Sequence, residues 1–196
     1  MNVAAIDPSQ AFVQAARERN PEVDVRHASA EKIPFADDAF DFALAQLVVH
    51  FMTDAVAGLS EMARVTRSGG VVAACVWDYY GRTAPLSQFW TALEEFDSAA
   101  ENEAHLAGAR EGHLGELFGA AGLADVQQSS LSVGVEFASF DESWAPYELR
   151  VGPAGAYVAS LDDARREELR EFCRARMPQP PFTITGKAWA TRGSPL

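Results

Sequence analysis

Short apolar runs alternate with helix-patterned stretches through the first eighty residues, and this alternation is the strongest constraint on the fold. Val3-Ala4-Ala5-Ile6 has the character of a buried strand and is stopped by Asp7-Pro8-Ser9. Ser9 to Arg19 then carries Phe12, Val13 and Ala16 on one helical face and ends at Asn20-Pro21. Val23 to Ala28 alternates like a strand bordering water, and Ala30 to Phe40 reads as a loop punctuated by Pro34 and Asp37-Asp38. Phe40 to Val49 is the most apolar run and predicts a central strand leading into a loop near His50. Thr53-Asp54 can cap a helix that reaches Thr66, with Leu59, Met62, Ala63 and Val65 facing a sheet. Ser68-Gly69-Gly70 reads as the turn ending that helix, and Val71 to Trp77 as another buried strand. Strands separated by helices of this length predict parallel pairing with right-handed crossovers. The fold class is therefore α/β, with a Rossmann-like, doubly wound, mostly parallel sheet.

The second half is less regular. Helices are expected over Pro85 to Ala100, Glu111 to Ala121, Phe140 to Leu149 and Leu161 to Met177, and strands over Val126 to Phe137 and Phe182 to Ala190. No repeat, linker or low-complexity segment interrupts the 196 residues, so one domain is expected. A net charge of −12 disfavours partners that present phosphate, and neither nucleic acid nor a membrane surface is expected as a partner. The two cysteines, Cys75 and Cys173, form no metal or redox spacing and read as small apolar residues of a reducing compartment. With no basic and apolar leader and no membrane-length apolar run, the expected location is the cytoplasm.

Asp7 ends a strand of a nucleotide-binding type of sheet. Such an acid can accept both hydroxyls of a ribose, and Asp-Pro-Ser is equally a good helix start. Taken with Ala30-Glu31-Lys32-Ile33-Pro34-Phe35, Phe40-Asp41 and Arg64-Val65-Thr66-Arg67-Ser68-Gly69-Gly70, it resembles the class I S-adenosylmethionine-dependent methyltransferases of the small-molecule type. The resemblance is strong from residue 3 to about residue 80 and looser beyond, through Trp77-Asp78 and Trp189 to Gly193. It implies S-adenosylmethionine as cofactor, with contacts from Asp7, Pro8, Ala30, Glu31 and Gln46. His50, Trp77, Tyr79 and Tyr80 are implied to line the site of a small, apolar or planar methyl acceptor. It further implies a cofactor-binding half over residues 1–80 and a substrate-side half over 81–196, with a helical insertion after the family's fifth strand. Ser68 stands where the family usually has proline.

No single catalytic residue is implied, because transfer from a sulfonium needs mainly alignment of donor and acceptor. His50 as a base lacks an evident carboxylate partner and reads more readily as a packing or lining residue. His27, His105 and His113 have no metal-binding spacing, and no metal is expected. Asp37-Asp38 and Glu94-Glu95 read as solvated. A nicotinamide dehydrogenase would share the strand-end acid, but G-x-G-x-x-G and a hydride-transfer set are missing.

The resemblance starts at the family's second strand. It implies a domain truncated at its N-terminus, without the first strand, the glycine-rich loop and the first helix. In the family's strand order, that absence would leave two exposed edges, one on the strand at Val3 and one on the strand at Phe40. A start set short of the true one, a stable truncated variant and a chain completed by a partner (a homo-oligomer among them) are the three readings. The alternative to an enzyme is accordingly a non-catalytic remnant that binds cofactor weakly or needs a partner chain.

Overall fold

The computed structural model describes residues 3–100 and 102–196; Met1, which the resemblance sets at the family's second strand, lies outside them. The first half follows the expected alternation: β1 (Ala4–Asp7), α1 (Gln10–Arg19), β2 (Asp24–His27), a 3₁₀ turn (Ala30–Lys32), β3 (Phe40–Gln46), a second 3₁₀ turn (Val49–Phe51), α2 (Ala55–Val65) and β4 (Thr66–Trp77). There follow α3 (Ser87–Phe96), α4 (His113–Ala120), β5 (Ala124–Phe137), α5 (Phe140–Glu148), α6 (Gly152–Ser160), α7 (Asp163–Arg174) and β6 (Phe182–Ser194). The fold is α/β and Rossmann-like, and both resolved pairings among the early strands, β1 with β2 and β3 with β4, are parallel.

The helix ends follow from local chemistry. Ser9 Oγ accepts the Phe12 amide to start α1, and the Asn20 amide closes it on the Ala16 carbonyl. Asp54 Oδ1 accepts the Ala57 amide at 2.9 Å to start α2. That helix buries Ala55, Leu59, Met62 and Val65, residues spaced to share one face.

Two expectations change, and one implied feature is present. The hydrogen bonds form two sheets, β1 with β2 and a second in the order β3, β4, β6, β5, and no ladder among the described residues joins β1 to β3, so each presents the edge that the family's strand order implies. The expected central strand β3 is therefore an edge strand. Its Ala43 and Ala45 turn toward the core while Phe42 and Leu44 are 64% and 74% exposed. Ser68-Gly69-Gly70 is not a turn after the helix but lies within β4, which starts at Thr66 directly after α2. The ladder register slips there, Phe40 facing Thr66 while Phe42 faces Val71, and Gly69 takes up the slack at φ +71°. Gly70 passes so close to β3 that a Cβ would stand 2.7 Å from the Asp41 carbonyl oxygen.

The chain forms two compact units interleaved in sequence. Unit 1 comprises Met1–Val76, Leu106–Ser130 and Trp189–Leu196; unit 2 comprises Trp77–His105 and Leu131–Ala188. In unit 1, Ala45, Val72, Ala74 and Val76 of the sheet pack on Leu59 and Met62 of α2 and on Leu114 and Phe118 of α4. Each such large apolar side chain contributes about 2 kcal/mol by leaving water. In unit 2, Phe89, Trp90 and Leu93 of α3 pack with Phe140 and Trp144 of α5, Val158 of α6, and Leu169 and Cys173 of α7. Helix α6 falls where no element was expected; Pro153 stands in its first turn, where its missing N–H costs nothing. No helix among the described residues is long and apolar enough to cross a membrane.

Candidate active site

In an open α/β sheet a ligand is received at the carboxyl ends of the strands, where loops diverge and backbone polar groups face outward. Asp7 ends β1 directly opposite His27, the end of β2. Asp7 is not the cap of α1; that place is taken by Ser9. Its Oδ1 accepts the Ser9 amide at 2.7 Å, and its Oδ2 makes no hydrogen bond among the described residues. One oxygen thus fixes the carboxylate's direction and the other stays available. His27 Nε2 donates to the Pro8 carbonyl at 2.9 Å, which ties the end of β2 to the turn after β1.

Ala30 and Glu31 lie in the 3₁₀ turn after β2, capped by Ser29. Glu31 Oε1 accepts the amides of Thr53, at 2.8 Å, and Asp54, at 3.2 Å, while Oε2 takes the Ser29 hydroxyl. The Ser29 bond, backed by those amides, holds the Glu31 carboxyl below the usual carboxylate range. Its charge therefore stitches the turn to the start of α2. Gly58 of α2 leaves room for Met52, whose Sδ lies 2.5 Å from where a Cβ would stand.

Gln46 ends β3 opposite Cys75 and is exposed. The next residue, Leu47, has φ +59°, a conformation that is rare for a branched side chain, and its amide is held by the Cys75 carbonyl at 2.9 Å. The chain thus turns sharply off the sheet at the strand's end. His50 follows in the 3₁₀ turn Val49–Phe51 and is 5% exposed, its ring 4.0 Å from that of Phe51. Burial pushes the imidazole down to about 4, so it is neutral at physiological pH. Asp7, Pro8, Ala30, Glu31, Gln46 and His50 all belong to unit 1.

Trp77, Tyr79 and Tyr80 open unit 2 and do not share one environment. Trp77 is half-buried beside Gly186, where a Cβ would come within 3.1 Å of its ring. Tyr79 is buried against Glu103, whereas Tyr80 is 69% exposed. Glu103, 3% exposed, accepts the Trp90 indole N–H at 3.0 Å, and burial raises its carboxyl above the usual range. Sequence reasoning missed this residue, because Glu103 in Glu101-Asn102-Glu103-Ala104 carries no periodic or motif signal.

Residues 1–74 match the family described as the methyltransferase domain. The chain is 31% identical over 135 residues to a demethylmenaquinone methyltransferase of Halalkalibacterium halodurans, covering 61% of this chain and 54% of that one. It is 32% identical over 99 residues to a malonyl-[acyl-carrier protein] O-methyltransferase of Erwinia pyrifoliae, covering 44% and 38%. Among solved structures, a SAM-dependent methyltransferase of Thermotoga maritima superposes with a TM-score of 0.55 at 17% identity, covering 99% of this chain and 73% of the other. Over residues 1–74 this chain is similar to the methyltransferase domain family, and its fold is that of the solved methyltransferases. It spans about 38% and 54% of the lengths of the two curated relatives, less than two thirds of either.

The segment Arg64-Val65-Thr66-Arg67, inside the matched residues, has a physical role here. The Arg64 guanidinium donates to Glu61 at 2.6 and 2.8 Å, to Asp37 at 2.6 Å, and to the carbonyls of Ile33 and Phe35 at 2.9 and 3.0 Å. Glu61 in turn accepts the Ile33 amide at 2.9 Å. One arginine therefore pins the loop after the Ala30–Lys32 turn onto α2, and Asp37, which reads as solvated in sequence, is one of its anchors. Thr66 Oγ1 donates to the Met62 carbonyl at 2.8 Å, and Arg67 pairs with Asp41.

Proposed function

We propose that this chain transfers a methyl group from S-adenosylmethionine to a small, apolar or planar acceptor. The observation that carries the reading is Asp7: a strand-end acid with one oxygen oriented by its own loop and the other unbonded, inside the matched methyltransferase segment. The chemistry of that donor set suits a ribose, whose two adjacent hydroxyls both donate.

Asp7 would accept the ribose hydroxyls, with Pro8 keeping the turn rigid beside it. Ala30 would offer main-chain contact to the adenine from the 3₁₀ turn, and Glu31 would serve by holding that turn. Gln46, exposed at the end of β3 where Leu47 forces the chain away, would line the cofactor. When bound, the cofactor supplies an electrophilic methyl on a sulfonium, so the chain's own task is alignment and the exclusion of water. His50, neutral and buried, supports the pocket wall and carries no charge there. The aromatic character of Trp77, Tyr79 and Tyr80 in unit 2 supports an apolar or planar acceptor. The relatives' own acceptors, demethylmenaquinone and malonyl-acyl-carrier protein, are of two different kinds.

Calorimetric titration of S-adenosylhomocysteine into the purified chain tests the reading. Measurable binding that weakens at least about tenfold in Asp7→Ala is expected, the loss of a hydrogen bond to a charged acceptor. A well-folded chain that releases no heat, or an Asp7→Ala variant that binds equally well, would overturn it.

A further inference from the structure

β5 is the outermost strand of its sheet, and from Leu131 onward it belongs to unit 2. Its inner side leans on β6: the place a Cβ would take on Gly134 lies 3.2 Å from Thr183. Residues 127–136 are all exposed. Leu131, Val133 and Val135, which share a face at strand spacing, are 55%, 50% and 50% exposed. From Val126 to Val135 no residue is charged, in a chain whose net charge is −12. Edge strands are ordinarily blunted by a lysine, a proline or an inward charge, and this stretch has none of them.

We propose that Leu131–Phe137 is an interface between two copies of this chain. The strands would run antiparallel about a twofold axis at Val133 and continue the sheet from one copy into the other. A twofold contact must be complementary to itself. Centred there, Val133 meets Val133, Leu131 of each copy meets Val135 of the other, and Glu136 meets Ser130, so no like charges oppose each other. Apolar cross-strand pairs of this kind are the unit of sheet stabilisation. A second copy is favoured over a charged partner because the run from Val126 to Val135 has no charge to answer one. It is also a place where two strongly acidic chains can meet without setting carboxylates together.

The mass of the purified chain by sedimentation equilibrium tests this, with far-UV circular dichroism confirming that each variant is folded. Wild type is expected to be a closed dimer in the micromolar range. Val133→Lys should shift the protein to monomer by setting two ammonium groups face to face, and Val133→Glu should do the same with two carboxylates. Val133→Thr should remain dimeric. Mixing the Lys and Glu variants should restore a dimer of one chain of each, which a general loss of stability cannot do. A wild type that stays monomeric at about 100 μM, a dimer indifferent to Val133→Lys, open-ended polymers, or a mixture that stays monomeric would each overturn the proposal.

Discussion

His50 and Glu103 are buried titratable side chains, one in each unit, and burial moves them in opposite directions. The folded-state value of His50, about 4, lies below the ordinary 6.5. The unfolded chain therefore binds the proton more readily, and this contribution to stability is complete above about pH 6.5 and is lost as pH falls toward 4. Glu103 is raised by desolvation, so its unfolded form releases the proton first, and its contribution falls as pH rises through the ordinary carboxylate range. Urea unfolding at about pH 7 and about pH 5 separates the two. In His50→Phe the loss of stability on acidification should be smaller than in wild type by on the order of 2 kcal/mol. Glu103→Gln, which keeps an acceptor for Trp90 without the charge, should gain stability at neutral pH and lose that advantage in acid. Parallel pH curves for wild type and either variant would refute the corresponding assignment. Glu103 does not announce its burial in sequence, whereas His50, placed after an apolar strand, reads as a packing or lining residue. Asp7 is legible because strand, acid, proline and helix cap are contiguous. The Arg64 hub is not, since its partners at Ile33, Phe35 and Asp37 are brought to it only by the fold.

Elements were legible where the pattern was local. The apolar runs of β1, β3 and β4 and the capping residues Ser9 and Asp54 place strands and helices to within a few residues. What failed was tertiary in cause. Ser68-Gly69-Gly70 reads as a turn because its glycines usually are one, but the ladder to β3 on either side of it and the left-handed Gly69 make it strand. The period of β3 likewise cannot tell whether both of its faces are covered. In the fold only the Ala43 and Ala45 face is packed, with Phe42 and Leu44 left in water. Substitution measures that difference directly. Phe42→Ser and Leu44→Ser should each change stability by less than about 0.5 kcal/mol, whereas Phe118→Ala, in the sealed core, should cost about 3–5 kcal/mol. Equal costs would mean that the Phe42 face is covered in solution.

At the scale of the molecule, composition and alternation carry the fold class, and they do not carry the division into units. The chain leaves unit 1 at Trp77, returns at Leu106, leaves again after Ser130 and comes back at Trp189, a path set by which side chains join which core. Charge is a property of the whole as well. At −12, two copies repel each other at long range however well one strand pairs with another, and added salt shortens that repulsion. The Debye length falls from about 30 Å at 0.01 M to about 8 Å at 0.15 M. Association through the uncharged run of β5 should therefore tighten a few-fold as salt is raised between those concentrations, because screening removes repulsion and weakens no attraction at the contact. An interface built on ion pairs would respond with the opposite sign. Sedimentation of the wild-type chain across that range decides between them: a dimer that loosens with salt would rule out pairing along β5, and one that tightens and is abolished by Val133→Lys would place the contact there.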